Sequence, residues 1–249
     1  MTQTILITGA TDGLGRALAA ELAGGGANVL VHGRREGSPY RADLGSLDEV
    51  RELARQVESE NDRLDVLVNN AGIGTAGPRE ESRDGIELRF AVNYLAGFLL
   101  TRLLLPMLVH SAPARVVNVS SAGQMPIDFD DVMLERDYNG VQAYCQSKLA
   151  QVMFTFDLAA ELWDKGVTVN CLHPATFMPT KMVLEAGAQP ANSVEEGMEA
   201  VKRLVGAPEL EGVTDRYFNG QEEARAHPQA YDADARRRLR ELSEQLVDH

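Results

Sequence analysis

Short, nearly continuous apolar runs alternate with longer amphipathic stretches along the chain. The runs fall at Thr4–Thr8, Asn28–His32, Asp65–Asn69, Arg115–Ser120, Thr168–His173 and Asp215–Asn219. Runs of this kind predict strands covered on both faces, because neither set of alternate side chains is polar. The stretches between them predict helices. Gly13–Ala23 stops at Gly24-Gly25-Gly26, a glycine brake on helix growth. Ser46–Ser59 begins on a serine cap. Ile86–Val109 is long and apolar, and Val141–Lys165 carries Val152, Phe156, Ala159, Ala160 and Trp163 at helical spacing. This alternation predicts an α/β fold, a doubly wound parallel sheet with helices on both faces, in a single domain. A ligand is then expected at the carboxyl ends of the strands.

One connection is too short for the pattern. Only Gly33–Ser38 separates the second strand from the next extended piece, Pro39–Ala42. A parallel crossover takes a dozen residues or more. No α-helix is expected between positions 33 and 45, and the third strand is either absent or an edge fragment.

Composition narrows the partners. The 249 residues carry 24 basic and 37 acidic side chains, a formal charge of −13. A nucleic-acid binder needs a basic face, and an acidic membrane would repel this chain, so neither partner is expected. The longest apolar stretch, Leu95–Val109, contains Arg102 and Pro106 and reads as too short to span a bilayer. The N-terminal segment runs straight into a strand, so no signal peptide is expected. Two cysteines, Cys145 and Cys171, cannot make a disulfide framework and read as reduced and cytoplasmic. His32, His110, His227 and His249 show no ligand spacing, so no metal is expected. His173, before a proline at a strand end, reads as structural, and Arg236-Arg237-Arg238 as a solvated helix face.

Three places carry chemistry. The first strand runs into Thr8-Gly-Ala-Thr-Asp-Gly-Leu-Gly15 and then a helix. Glycines let the backbone approach a pyrophosphate, and the helix N-terminus attracts the anion. Gly9, Thr11, Asp12, Gly13, Leu14 and Gly15 are therefore candidate dinucleotide contacts. The second strand ends in Val31-His-Gly-Arg-Arg35, with no acid at its tip and two guanidiniums beyond it. Arg34 and Arg35 fit the 2′-phosphate of NADP(H) rather than NAD, although Asp12 places a carboxylate near the same nucleotide. Tyr144-Cys-Gln-Ser-Lys148 puts a phenol and an ammonium on one helix face. The ammonium stabilises a phenolate and brings its pKa toward neutrality. Alone, such a pair occurs by chance in many helices.

Together with Asn69-Asn-Ala-Gly72, Asn93, Asn118-Val-Ser-Ser121 and His173-Pro174, these motifs resemble the short-chain dehydrogenase/reductase family in order and spacing. The resemblance spans nearly the whole chain. It implies a Rossmann fold, with Ser121 holding the substrate carbonyl and Tyr144 donating the proton. Lys148 would bind the nicotinamide ribose and tune Tyr144, and Asn93 would support a water chain to Lys148. Asn70, Ala71 and Gly72 would line the adenosine-ribose side, with Asp43 and Leu44 at the adenine. Pro174 and a following threonine would meet the nicotinamide, but the family's Pro-Gly reads Pro174-Ala175 here, so that threonine is Thr176 or Thr180. Twenty-two residues lie between Ser121 and Tyr144, enough for a loop at the substrate site.

The chemistry of these groups agrees. Negative charge growing on a carbonyl oxygen would be met by hydrogen bonds from Ser121 and Tyr144. The substrate is expected to be selected by Gln124–Val141 and by a loop at about 175–200, in which Phe177, Met178, Pro179, Met182, Val183 and Leu184 give an adaptable apolar wall. The main expectation is an NADPH-dependent ketoreductase for a bulky apolar ketone, and the chain resembles the reductases that tailor polycyclic aromatic polyketides. The alternatives are a retinol-dehydrogenase-like enzyme for lipophilic alcohols, an epimerase or dehydratase on a nucleotide sugar, and a redox sensor that binds NADP without turnover. A homo-oligomer, dimer or tetramer, is expected.

Overall fold

The computed structural model describes residues 2–187 and 189–248; Met1, Ala188 and His249 lie outside the described residues. Eight strands form one sheet: β1 (Thr4–Ile7), β2 (Asn28–Gly33), β3 (Tyr40–Arg41), β4 (Val66–Asn69), β5 (Ala114–Val119), β6 (Val167–His173), β7 (Arg216–Asn219) and β8 (Glu222–Ala224). Their spatial order is β3-β2-β1-β4-β5-β6-β7-β8. Every pairing is parallel except β7 with β8. This is the doubly wound sheet that the alternation predicts. Its winding reverses between β1 and β4, where both neighbours' carboxyl ends open one crevice.

The helices are α1 (Gly13–Gly24), α2 (Leu47–Glu60), α3 (Leu88–Phe90), α4 (Ala96–His110), α5 (Gly140–Glu161), α6 (Lys181–Glu185), α7 (Val194–Gly206) and α8 (Ala233–Val247). Two apolar cores separate cleanly on the two faces of the sheet. Leu6 of β1 joins Val50, Leu53, Leu104, Val152 and Leu239 under α2, α4, α5 and α8. Ile5 and Ile7 point the other way, to Leu14, Leu18, Val201 and Leu204 of α1 and α7. The period-2 alternation of a strand buried on both faces produces this split.

A π turn at Ala91–Leu95 joins α3 to α4, making one continuous helix over Leu88–His110. It is longer than the apolar stretch read from the sequence, and by length and composition it is long enough to cross a membrane. Here its buried face carries Phe90, Tyr94, Phe98, Leu100 and Leu104 into the core. Tyr94 is held at its far end by the Ser243 hydroxyl of α8, 2.7 Å away.

Three elements differ from the sequence reading. The helix expected to reach Lys165 ends at Glu161, and Trp163 is 79% exposed rather than part of the apolar face. The loop expected at about 175–200 gives way to α7 at Val194, started by a capping box between Ser193 and Glu196. The edge hairpin partner β8 has no apolar run to mark it, reading Glu-Glu-Ala.

The short connection behaves as its length dictates. Arg34–Pro39 forms turns without a helix, and β3 is a two-residue stub whose neighbour Ala42 donates its N–H to the Gly33 carbonyl at 3.2 Å.

Candidate active site

The glycine turn is fixed from both sides before it reaches α1. Gly9 and Gly13 adopt φ of 66° and 49°, the left-handed region that favours glycine. A Cβ on Gly15 would lie 2.4 Å from the Gly9 carbonyl oxygen and 2.5 Å from Asn70 Nδ2, so that position admits no side chain. Asp12 caps α1, accepting from the Gly13 N–H at 2.8 Å. Thr8 Oγ1 accepts from the N–H groups of Asn70 (2.9 Å) and Ala71 (3.0 Å). The Asn70 amide donates to the Thr8 carbonyl at 2.8 Å and the Gly9 carbonyl at 3.3 Å. Asn70 thus braces the turn, while its backbone lies on the β4 side of the crevice. Thr11 packs against Gly33, where a Cβ would meet its methyl at 2.4 Å.

At the tip of β2, Arg34 is exposed. Arg35 is drawn toward the helix cap instead, with its guanidinium 3.3 Å from Asp12 and both side chains more than half exposed. Asp43 is half-buried; it donates its N–H to Glu49 at 2.7 Å and accepts from Gly45 at 3.0 Å. Leu44 is buried beside it. The trimmed connection therefore delivers Asp43 and Leu44 at the carboxyl end of the sheet, on the same side as Arg34.

The reacting groups converge between β5 and α5. Ser121 lies just past β5, its hydroxyl accepting from the Gly123 N–H at 3.0 Å. Its carbonyl is held by the Gln124 amide at 2.8 Å and the Tyr217 hydroxyl at 3.1 Å. Asn139 caps α5, which places Tyr144 in its second turn and Lys148 one turn further along the same face. Lys148 Nζ lies 5.9 Å from the centre of the Tyr144 ring. It donates to the Val119 carbonyl and to Gln151 Oε1, each at 2.9 Å, which uses two of its three N–H donors. The Ser120 hydroxyl donates to the Lys148 carbonyl at 2.8 Å, tying the end of β5 to α5.

Burial governs the charges here. Desolvation pulls the Lys148 ammonium down to about 7, because no carboxylate compensates it. Burial also pushes the Tyr144 phenol up, and the Ser121 hydroxyl beside it works in the opposite direction. A lysine so close to neutrality can give or take a proton at physiological pH.

Asn93 sits in the π turn, a distortion that recurs at functional sites. Its side chain accepts from the Ile73 N–H at 2.7 Å and donates to the Ile73 carbonyl at 3.1 Å and to Ser147 Oγ at 3.0 Å. Gly72 lies between the two elements: a Cβ there would be 3.2 Å from Asn93 Oδ1 and 3.5 Å from Lys148 Nζ. Asn93, Gly72, Lys148, Tyr144 and Ser121 are thus brought to one place by four chain segments: the π turn, the loop after β4, α5 and the end of β5.

The loop after β6 closes over this crevice. Its base is pinned by Asn192 N–H to Thr176 carbonyl (3.1 Å) and Ala191 N–H to Phe177 carbonyl (3.0 Å). Phe177 itself sits at φ 46° and is 52% exposed. Thr176 turns to His173, 3.1 Å from its Nε2. Thr180 instead faces the glycine turn, its methyl 3.2 Å from where a Cβ of Gly13 would stand. Of the two threonines, Thr180 is the one at the glycine turn. Pro174 starts the loop, and Met182 covers Gly74 across the crevice. Exposed Met125 and Leu184 extend an apolar rim.

A buried ion pair not singled out in the sequence supports the rim. Glu87 and Arg89 are both sequestered, 3.6 Å apart. Arg89 donates to the carbonyls of Gly74 (2.8 Å) and Ala76, and to the Tyr138 hydroxyl. Tyr138 in turn donates to Glu87 at 3.2 Å. The only sequence signal was two opposite charges at the start of a largely apolar helix. Among the described residues no group of His, Cys, Asp or Glu is arranged to hold a metal ion.

Comparison with known proteins agrees with this geometry. The short chain dehydrogenase family pattern matches residues 3–191, and the chain belongs to that family. Mouse retinol dehydrogenase 13 is 38% identical over 283 aligned residues, covering 98% of this chain and 84% of the relative. Human retinol dehydrogenase 14 is 38% identical over 290, covering 98% and 86%. Among solved structures, an uncharacterised protein from Mycobacterium paratuberculosis superposes with a TM-score of 0.79 at 29% identity, covering 99% of this chain and 93% of that one. The chain is therefore an oxidoreductase of alcohol and carbonyl groups that uses a nicotinamide cofactor.

Proposed function

We propose that the protein interconverts a lipophilic alcohol and its carbonyl compound with NADP(H), in the manner of a retinol dehydrogenase. The observation that carries this reading is the convergence of Ser121, Tyr144 and the buried Lys148 at the mouth of an apolar rim. The retinol dehydrogenase names of the relatives favour this alternative over a polyketide ketoreductase.

The crevice fits a dinucleotide: glycine at position 15 lets the start of α1 pack directly on the Gly9 carbonyl and the Asn70 amide, where a Cβ would clash, and this close turn brings the N-terminus of α1 to the crevice where a pyrophosphate would bind. Arg34, exposed at the tip of β2 with no acidic residue at the strand end, supports NADP(H). Arg35, drawn to Asp12, contributes less. The bound cofactor supplies the hydride chemistry. In the reducing direction, Ser121 and Tyr144 donate hydrogen bonds to the carbonyl oxygen as its charge grows. Tyr144 then gives up its phenolic proton to that oxygen. Lys148, held by Val119 and Gln151, restores the proton to Tyr144 or stabilises its phenolate. Asn93 keeps the Ile73 backbone and α5 in register around that lysine. In the oxidising direction Tyr144 acts as the base.

The apolar rim of Met125, Phe177, Met182 and Leu184 supports a substrate with a hydrophobic body. Buried, unpaired Cys145 and Cys171 support a reducing, cytoplasmic setting. The test is a turnover screen with NADPH and NADH against retinaldehyde, retinol and a panel of quinonoid and aliphatic ketones. Turnover of retinaldehyde with NADPH is expected. Activity confined to small hydroxy acids would overturn the reading.

A further inference from the structure

His32 is 2% exposed at the end of β2, and both of its ring nitrogens are committed. Nδ1 lies 3.0 Å from the Gly9 nitrogen, and Nε2 lies 3.1 Å from the Ala42 carbonyl oxygen. A backbone N–H can only donate, so Nδ1 is the acceptor and carries no proton. A carbonyl can only accept, so Nε2 carries the proton. The ring is therefore held as one neutral tautomer, the form that burial also favours. The His32 backbone carbonyl takes the next amide, Ala10 N–H, at 2.8 Å.

The two side-chain bonds join the two flanks of the crevice. Gly9 opens the glycine turn, in a left-handed conformation that the chain must hold without help from a side chain of its own. Ala42 precedes Asp43 and Leu44, and the segment leading to it contains no helix of its own. That segment is held by a two-residue strand, by the backbone bond from Ala42 to Gly33, by Gln56 and Asn61 at the end of α2, which donate to the Pro39 carbonyl at 3.2 Å and the Tyr40 hydroxyl at 3.1 Å, and, at the Ala42 carbonyl, by His32. With Gly9 and Ala10 turned toward β2, the amides that follow stay aimed from the N-terminus of α1 into the crevice.

We propose that His32 is a positioning residue for the dinucleotide: its imidazole bridges Gly9 and Ala42, holding the glycine turn and the shortened β2–β3 connection at the spacing that one nucleotide spans. This rests on the reading of the crevice as an NADP(H) site. The residue touches neither the reacting atoms nor the rim, so it acts on cofactor affinity and not on the proton-transfer groups.

Three variants separate the bonds. His32→Leu removes both. His32→Asn keeps an acceptor where Nδ1 stands, and His32→Gln keeps a donor that reaches as far as Nε2. Binding of NADPH to the intact protein is measured by fluorescence titration without substrate, with melting temperature recorded in parallel. His32→Leu is expected to raise the Kd by about tenfold or more, and Asn and Gln are each expected to recover part of the loss. If the leucine variant does not fold, the asparagine and glutamine variants carry the test, each with a Kd raised about threefold or more over the parent. A folded leucine variant that binds within twofold of the parent overturns the proposal. So does a loss of affinity that neither polar variant relieves, since ring volume alone would then explain it. Absence of NADPH binding by the parent would instead overturn the cofactor reading, and this proposal with it.

Discussion

Lys148 Nζ stands 5.9 Å from the centre of the Tyr144 ring, one helical turn along α5, in a site with no carboxylate to balance its charge. Its folded pKa of about 7 lies below the ordinary 10.5. The unfolded chain therefore binds more protons than the folded one between those two values. Stability contributed by this group must rise as pH increases from about 7 toward 10.5, and below about 7 its burial penalty is constant and full. A Lys148→Met variant loses that pH dependence. The difference in unfolding free energy, variant minus parent, should fall between pH 7 and pH 10, by up to a few kcal/mol at about 1.4 kcal/mol per pKa unit. Denaturant titrations at several pH values read it directly, and a difference that is flat with pH would place the lysine charge elsewhere.

Tyr144→Phe removes the only atom of that side chain that can carry a proton. Turnover should fall by about a thousandfold or more, in the upper range of general acid–base contributions. The Kd for NADPH should change little, because the glycine turn and the N-terminus of α1 do not depend on the phenol. Stopped-flow turnover and fluorescence titration on the same preparation separate the two effects. Retention of several per cent of activity would mean that another group donates the proton.

The parts of this molecule that were legible in the sequence are those in which one physical cause acts alone. Strands whose interiors are covered on both faces carry short apolar runs, so β1, β2, β4, β5, β6 and β7 appear within a residue or two of their observed bounds, although the start of β2 and both ends of β7 are polar and exposed. The missing helix after β2 follows from chain length. The parts that stayed hidden depend on two segments at once. β8 is a charged edge whose only reason to be a strand is its antiparallel partner β7. The π turn at Ala91–Leu95 adds no hydrophobic position to mark it. In α7, the capping signal at Ser193 and Glu196 was present in the sequence, but the surrounding apolar residues read equally well as a substrate loop. At the site, Ser121, Tyr144 and Lys148 are found by motif. Arg89 and His32 act through contacts with distant backbone, which spacing along the chain does not display, whereas Gln151 meets Lys148 at i, i+3 on α5 and belongs to no motif.

Arg34 and Arg35 should differ, although they are neighbours. Arg35 is engaged by Asp12 at 3.3 Å, whereas Arg34 is exposed at the strand tip. Arg34→Ala should reduce the preference for NADPH over NADH by about ten- to a hundredfold, the range of a charge-assisted bidentate contact. Arg35→Ala should reduce it by a few-fold at most. The measurement is kcat/KM with each cofactor for parent and variants. Equal efficiency of the parent with both cofactors would remove the premise.

Arg89 holds Gly74, Ala76 and Tyr138 from a site buried against Glu87. Arg89→Leu leaves the Glu87 carboxylate buried without its cation. The expected cost is about 3–5 kcal/mol, the range for breaking one partner of a buried pair. Proteolysis near Gly74–Pro78 should become faster, because the carbonyls of Gly74 and Ala76 lose their donor. Double substitution Glu87→Gln with Arg89→Leu should recover part of the stability, since no unpaired charge then remains. A loss under 1 kcal/mol in the single variant would show that water takes the place of the guanidinium.

Thr176 and Thr180 both lie in the loop after β6, and the structure gives them different work. The Thr176 hydroxyl is 3.1 Å from His173 Nε2, and its backbone is pinned by Asn192 at the base of the loop. Thr180 reaches across to the glycine turn, with its methyl 3.2 Å from the position of a Gly13 Cβ. A dinucleotide passing the N-terminus of α1 meets Thr180 before it meets Thr176. Thr180→Ala should therefore raise the KM for the cofactor by about threefold to tenfold, the worth of one hydrogen bond, and leave the melting temperature nearly unchanged. Thr176→Ala should do the reverse, loosening the loop base and lowering the melting temperature by a few degrees, with a smaller effect on the KM. The pair is compared by steady-state titration of NADPH and by thermal unfolding. If Thr176→Ala carries the larger KM effect, then His173 and Thr176 form the nicotinamide contact, and the loop must sit deeper in the crevice when cofactor is bound.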